Sequence, residues 1–597
     1  MPVYFQGGNR MDMKDLYREV MALNMMDDND RKEAVAQAFF QKLNTMKLPE
    51  YFNWAGDIFD ELHVRERAEK TALLWMDIVT QRKKSYTYGE FAVNGNKCLN
   101  RLRKAGVEKG DNMYMMVPLV PETWFGAYAC MKGGLVIVLT ATSLIMREMQ
   151  YRFESYPPDV ILSDAAFTDM IDATIAVTGV KPKIKLVLGR KEGWTSYEEV
   201  ENQAAVAEAA RTRSDDLLFC FFTSGTSGLP KKVGHSATSY PIGHLSTDVM
   251  IGIRPDDIHH NLSAPGWAKW AWSSFFAPLN MGATATGFNF KVFDGHSYLD
   301  AVESCGITTF CAPPTAWRML INLDLTHHNL SSIRQSMSAG EPLNPEVITR
   351  WKRYTGTEIR DYYGQTESTA MIGNSPWMQG KMRIGSFGYP SSMYDIVLLD
   401  SGGRPVTTPG QTGHIAIRLD RWRPLGLFVG YIDDPEKTKD VFVGKYYYTG
   451  DRATIDKDGY WWYVGRADDV IRSSDYRIGP FDVENVLVEH PAVGEAAVVG
   501  APDPKRYQIV KAYIILNKGY EPSWELALEV FRHTTENLAR FKMPRIIEFV
   551  SELPKTISGK IRRVELKESE ESRRRTDEGP HNNEFFYWDF PELGSRQ

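Results

Sequence analysis

Residues 217–232 read LLFCFFTSGTSGLPKK. The first six, 217–222, are wholly apolar and are bounded by turn residues, the pattern of a strand buried on both faces. The chain then runs through Thr223, Ser224, Gly225, Thr226, Ser227 and Gly228 before Pro230 and the pair Lys231 and Lys232. Glycine reaches backbone angles that aim successive N–H groups into one concavity, and the hydroxyls add donors. Such a nest suits a polyphosphate, with Lys231 as its cation. It is not the loop of P-loop phosphotransferases. That loop needs four residues between its glycines and Lys-Ser/Thr directly after the second. Here Thr226 and Ser227 alone separate Gly225 from Gly228, and Pro230 precedes the lysine.

The surroundings of this stretch predict an α/β fold. Short apolar strands at 113–117, 136–139, 160–162 and 185–188 alternate with helical stretches, which implies βα units and mostly parallel sheet. Residues 11–60 are charged and helix-leaning. Between 384 and 465 the strands shorten, and turns such as 400–403 and 456–459 recur, predicting an antiparallel, barrel-like subdomain. After residue 468 a small α+β domain follows to 567, with a helix at 483–490 and strands at 496–499 and 510–516. The expected architecture is a large N-terminal domain of βα-layered sheets over 11–467, a hinge at Asp468 and a small mobile C-terminal domain over 469–567. Residues 568–597 open as a charge run and read as a solvated tail, in which the aromatic cluster Phe585, Phe586, Tyr587 and Trp588 is out of place.

Bulk numbers narrow the function. The 597 residues are 43% hydrophobic, enough for several cores. Seventy basic against 76 acidic residues leave a net charge of −6, which gives no pull toward nucleic acid or anionic membrane. Five scattered cysteines in apolar surroundings read as reduced thiols of a cytoplasmic protein. The longest uncharged run, 270–290, contains Pro278 and Asn280 and does not read as a membrane span. The opening MPVYFQGG lacks signal-peptide character and resembles a protease-site scar, so residues 1–10 are set aside.

The loop at 223–232 resembles the signature loop of the adenylate-forming superfamily: acyl-CoA synthetases, luciferases and peptide-synthetase adenylation domains. Five further segments follow in that family's order. They are SAGEP at 338–342, DYYGQTE at 361–367, YTGD at 448–451, GRADD at 465–469 and PKTISGK at 554–560. Six motifs in register leave little room for chance. YTYGEF at 86–91 and RIGPFDVE at 477–484 most resemble medium-chain acyl-CoA synthetases.

The resemblance implies an ATP-dependent, AMP-forming ligase acting through two half-reactions. A short or medium carboxylic acid attacks the α-phosphate of MgATP, and coenzyme A then takes the acyl group from acyl-AMP. Thr223 to Gly228 and Lys231 would cradle the β- and γ-phosphates, Glu367 would hold Mg²⁺, and Thr366 would bond the α-phosphate. Gly340, Glu341, Pro342, Asp361 and Tyr362 would flank the adenine. Asp451 would accept the ribose hydroxyls beside Arg466, and Arg477 would reach the phosphates. Lys560 would swing over the carboxylate, and Asp468 would be the pivot between half-reactions. Partners are thus small molecules, with the oligomeric state open, a homodimer included.

For the acid, Gly364 stands where acetate-using relatives carry tryptophan. This implies room for about four to eight carbons, since each buried CH₂ contributes roughly 0.8 kcal/mol. Trp267, Lys269, Trp272 and Cys311 are the expected wall. Two departures, Asp475 and Tyr507 where the family favours glycine, fall near the expected coenzyme A path. They keep open a ligase with another acceptor; a non-catalytic acyl or nucleotide binder is the further alternative, against which Lys231, Glu367, Asp451 and Lys560 all stand.

Overall fold

The computed structural model describes residues 12–223, 230–341, 343–474, 476–555, 560–576 and 579–593. Strand Leu217–Thr223 is central to an eight-stranded sheet. Its spatial order is Gly430–Tyr431, Lys231–Ser236, Leu217–Thr223, Val136–Leu139, Asn112–Met116, Val160–Asp164, Ile184–Leu188 and Thr195–Ser196. From Leu217–Thr223 outward to Thr195–Ser196 the pairs are parallel, as the alternation of strand and helix requires. Lys231–Ser236 returns antiparallel to Leu217–Thr223, with Thr223 opposite Lys231, and Gly430–Tyr431 pairs with its far edge. Thr223 and Lys231, on either side of residues 224–229, are therefore held side by side at the end of a buried strand.

A nine-stranded sheet faces the same helices. Its order is Tyr389–Pro390, Ala370–Gly373, Ile359–Gly364, Gln335–Ala339, Thr309–Ala312, Ile258–Asn261, Thr284–Asn289, Thr71–Asp77 and Arg82–Thr87. The main apolar cluster joins these two sheets through Phe219, Phe221, Trp270, Trp272 and Phe276, among others. In the antiparallel region, Ile396–Leu399, Gly413–Arg418, Tyr446–Ile455, Phe442–Val443 and Trp461–Arg466 form a five-stranded sheet. The five cysteines are free and buried, as their apolar settings suggest.

The C-terminal sheet orders Tyr476–Ile478, Ile471–Ser473, Tyr507–Leu516, Ile546–Phe549 and Glu584–Phe586, with Val493–Asp503 also pairing Tyr507–Leu516. Here the solvated-tail reading of 568–597 is corrected. Helix Arg563–Arg575 runs through the boundary placed at 567, and Glu584–Phe586 adds an antiparallel strand to Ile546–Phe549. Phe590 is buried against Trp524 and Phe531, with centroids 4.1 and 5.4 Å apart. The charge run is likewise anchored on one face, through buried Glu570 and Arg573. Lys511, 0% exposed, donates to Glu570 (2.8 Å) and Glu584 (2.7 Å) and forms an ion pair with Glu548 (2.7 Å), and Arg573 bonds Glu570 and Glu584. Composition could not reveal this, because the lysine that neutralises the run lies on a strand 59 residues away.

Candidate active site

The carboxyl ends of parallel strands, where α/β sheets bind ligands, bring the motif residues together. Strand Lys231–Ser236 turns its first two lysines in different directions. Lys232 is tied to the Ser155 carbonyl (2.8 Å) and to Asp433 (2.9 Å). Lys231 instead lies over the ring of Tyr431, 4.9 Å from its centroid. The Tyr431 hydroxyl donates to Glu367 Oε1 at 2.9 Å, so one aromatic residue links the loop lysine to the motif glutamate. Burial and the Glu367 carboxylate push the Tyr431 phenol up. It stays a donor at any working pH.

Asp451 is 3% exposed and heavily hydrogen-bonded. Tyr363 (2.6 Å) and Gln365 (2.7 Å) donate to one oxygen, Tyr463 (3.0 Å) to the other. Arg466, opposite Asp451 across the Tyr446–Ile455 and Trp461–Arg466 pair, stands 3.6 Å away. Burial acts to lower the Arg466 guanidinium, but Asp451, Tyr463, Tyr363 and Glu367 outweigh it and leave its pKa raised. Lys231, Glu367, Arg466 and Asp451 thus form one connected group.

Thr366 is held through its backbone. His235 Nε2 meets the Thr366 carbonyl oxygen at 2.7 Å, and burial pulls the imidazole down to about 4, so it is neutral and donates that bond. Asp361 lies across the sheet from Ser338, accepts from the Leu343 amide at 3.4 Å, and is pushed by burial up to about 8. It is a neutral acid at pH 7. Gly340 has φ +113°, which other residues rarely adopt, and a Cβ there would meet nothing within 4 Å. Gly340 thus turns the backbone beside open space. Thr223 ends its strand beside Lys231. Ser224, Gly225, Thr226, Ser227, Gly228, Pro342 and Asp475 lie outside the described residues.

The acyl-wall residues divide. Cys311 Sγ and the Tyr362 hydroxyl are 3.6 Å apart, and the Trp272 and Tyr362 rings stack at 6.4 Å. Lys269 donates to the Ala339 carbonyl at 3.3 Å. Trp267 is not on this wall: it packs against the separate cluster holding Ala141, Leu144 and Phe222. Gly364 is not open room either. A Cβ on it would lie 2.3 Å from the Thr369 carbonyl oxygen and 2.5 Å from Trp272. The space freed by the glycine is filled by the indole of Trp272, which the sequence shows only as one tryptophan of three.

From the C-terminal domain, ahead of helix Arg563–Arg575, Lys560 reaches this wall: it is among the charged neighbours of Lys269, with Asp361 and Glu341. Arg563 grips Glu484 with two bonds of 2.7 Å, and Lys567 bonds the Asp468 carbonyl (2.6 Å) and Asp469 (2.7 Å). Arg477 is not brought to the cluster. It is exposed, bonds the carbonyls of Ser474 and Tyr476, and has Arg452 as a charge neighbour. The orientation that turns Lys560 inward leaves the Ile471–Ser473 and Tyr476–Ile478 hairpin outside. The residues missed from sequence are the holders: Tyr431, Tyr363, Gln365, Tyr463 and His235. Tyr363 and Gln365 lie inside a quoted motif; the others carry no local signal.

Three buried polar atoms, Arg466 Nε, Asp361 Oδ1 and Ser338 Oγ, have no hydrogen-bond partner among the described residues. Such orphans are costly and ask for a ligand. They flank a site with cations at one end and a neutral acid at the other, which fits a nucleotide.

A family model described as AMP-binding enzyme matches residues 61–431. The chain belongs to the AMP-binding enzyme family. A second model, AMP-binding enzyme C-terminal domain, matches residues 482–560. This AMP-binding enzyme is 50% identical over 536 residues to 4-hydroxybutyrate–CoA ligase 1 of Metallosphaera sedula, covering 90% of this chain and 93% of that one. It is 38% identical over 535 residues to acyl-coenzyme A synthetase ACSM3 of Mus musculus, covering 88% and 92%. Among solved structures, the anthranilate CoA ligase AuaEII in complex with anthranoyl-AMP superposes with a TM-score of 0.80 at 30% identity, covering 89% of this chain and all of that one.

This AMP-binding enzyme is an acid–thiol ligase using ATP, Mg²⁺ and coenzyme A. A carboxylate oxygen bonds to the α-phosphorus as the α–β anhydride breaks and pyrophosphate leaves. The thiolate sulfur then bonds to the acyl carbon as AMP leaves. Among the described residues no group of three or more His, Cys, Asp and Glu side chains could hold a metal ion. A single carboxylate, Glu367, fits Mg²⁺, which keeps waters and phosphate oxygens as its remaining ligands. No helix among the described residues is long and apolar enough to cross a membrane.

Proposed function

We propose that the acid is short, about four carbons, and hydroxylated, of the 4-hydroxybutyrate class, activated in the cytoplasm. The observation that carries this is the close approach of Trp272 to Gly364, which closes the pocket that the glycine alone would open. Each further CH₂ would need room the indole already takes. The name of the Metallosphaera sedula relative agrees with this length and chemistry.

In this reading Thr223 to Gly228 and Lys231 hold the β- and γ-phosphates, and Glu367 holds Mg²⁺, which supplies neutralising charge to the polyphosphate when bound. Thr366, fixed by His235, bonds the α-phosphate. Tyr362, Asp361 and the 340–342 turn face the adenine, and Asp451 with Arg466 takes the ribose. Lys560 lies toward the carboxylate and α-phosphate, where its charge offsets the meeting of two anions. Asp468 is the pivot on which the C-terminal domain, 469 onward, turns for the thiol step, which moves Lys560 out and Arg477 toward the site. A panel of straight acids from acetate to octanoate, with 4-hydroxybutyrate, assayed by pyrophosphate release, tests the reading. Greatest kcat/KM at four carbons with the hydroxyl present is expected; a maximum at six to eight carbons overturns it.

A further inference from the structure

The wall of the acyl pocket contains a cation that neither half-reaction uses. Lys269 stands directly before the helical segment Trp270–Phe276, and its backbone carbonyl is pinned by Asn261 Nδ2 at 3.2 Å. Asn261 closes strand Ile258–Asn261 opposite Cys311, so Lys269 is fixed to the rigid edge of the sheet and does not ride on a loose loop. Its ammonium has three N–H groups. Among the described residues it bonds one acceptor, the Ala339 carbonyl, at a long 3.3 Å. A half-buried ammonium this sparsely partnered is costly unless a ligand completes it.

We infer that Lys269 is the specificity-determining residue for the substrate's hydroxyl, donating to that oxygen from the wall it shares with Cys311 and Tyr362. This rests on the short hydroxy-acid reading above. Two features select a hydroxyl over other groups. A second carboxylate on the substrate would meet Glu341, which with Cys311, Asp361 and Lys560 is among the ionisable neighbours of Lys269. A plain alkyl chain would leave the ammonium's remaining N–H groups unsatisfied. A neutral acceptor does neither. Nor is Lys269 part of the phosphate group: the partners of Arg466 there are Asp451, Tyr463, Tyr363 and Glu367. With Trp272 closing the far side, the distance available from carboxylate to hydroxyl is short.

The experiment compares kcat/KM for 4-hydroxybutyrate and butyrate in the full chain, wild type against Lys269→Met and Lys269→Gln. Methionine keeps length and removes the donors; glutamine keeps a donor and guards against loss of folding in the first variant. The wild type is expected to favour 4-hydroxybutyrate. Methionine should lower that preference about ten- to hundredfold, and glutamine should fall between. A wild type indifferent to the hydroxyl sinks the substrate reading itself. A wild type that prefers the hydroxyl while both variants keep that preference overturns the role of Lys269 alone. Parallel loss on both acids overturns it too, by placing Lys269 on the reacting carboxylate.

Discussion

Lys560 is an exposed lysine beside a basic run, the setting of a solvated side chain, yet it stands among the charges around Lys269. The role proposed for it rests on that position together with the PKTISGK motif at 554–560. Lys560→Ala is expected to lower pyrophosphate release about 100- to 1,000-fold, the scale of one lost charge-stabilising donor. Thioester formation from supplied acyl-AMP should be nearly unchanged; equal loss of both half-reactions would refute the role. Trp272 carries the pocket's length in the same way. Trp272→Leu should raise kcat/KM for hexanoate relative to butyrate roughly tenfold, since two further CH₂ groups gain about 0.8 kcal/mol each. An unchanged chain-length profile would mean that the indole does not bound the pocket.

At the scale of elements, the hairpin connecting Ser473 to Tyr476 and the turn before Tyr507–Leu516 are strained. Ser474 and Tyr507 have φ of +53° and +67°. Tyr507 is 68% exposed. A left-handed non-glycine residue costs about 1–2 kcal/mol, and glycine's extra chain entropy returns part of it. Tyr507→Gly should therefore stabilise by roughly 0.5–1 kcal/mol, read as a higher urea midpoint; a lower midpoint would show that the tyrosine ring contributes packing. The docked C-terminal strand has its own signature. Burial acts to raise Glu570, but Lys511, Arg573 and Arg574 outweigh it and hold the carboxyl at about 2. A depressed folded value contributes stability that is present above the unfolded value of about 4.3 and lost as pH falls toward the folded one. Emission of Trp524, which rests on Phe590, should report release of this strand between about pH 4.5 and 2. Release centred above pH 6 would assign the docking to other groups.

For the whole molecule, the arrangement is the one with Lys560 inward and Arg477 outward, and Lys567 ties the C-terminal unit to the Asp468 carbonyl at 2.6 Å. Thiol attack needs pyrophosphate to leave first, and hence a second arrangement. Asp468, exposed in a turn between the five-stranded sheet and the C-terminal unit, is the proposed pivot. Asp468→Pro, which locks φ, should slow thioester formation at least tenfold more than adenylation, measured as separate half-reactions. Normal overall turnover would exclude a hinge there.

The motifs from 217–232 to 554–560 determined the fold class and the family, because strand periodicity and motif chemistry are local: spacing of apolar residues sets the strands, and the residue types within a motif set what it can bind. What fills the pocket, what holds the carboxylates and where the tail goes were decided by tertiary structure. Trp272 opposite Gly364, Tyr431 between Lys231 and Glu367, and Lys511 beneath Glu570 and Glu584 are pairs far apart in the chain. Burial and charge pairing act through space, so a side chain's cost or use depends on neighbours that no window of sequence contains.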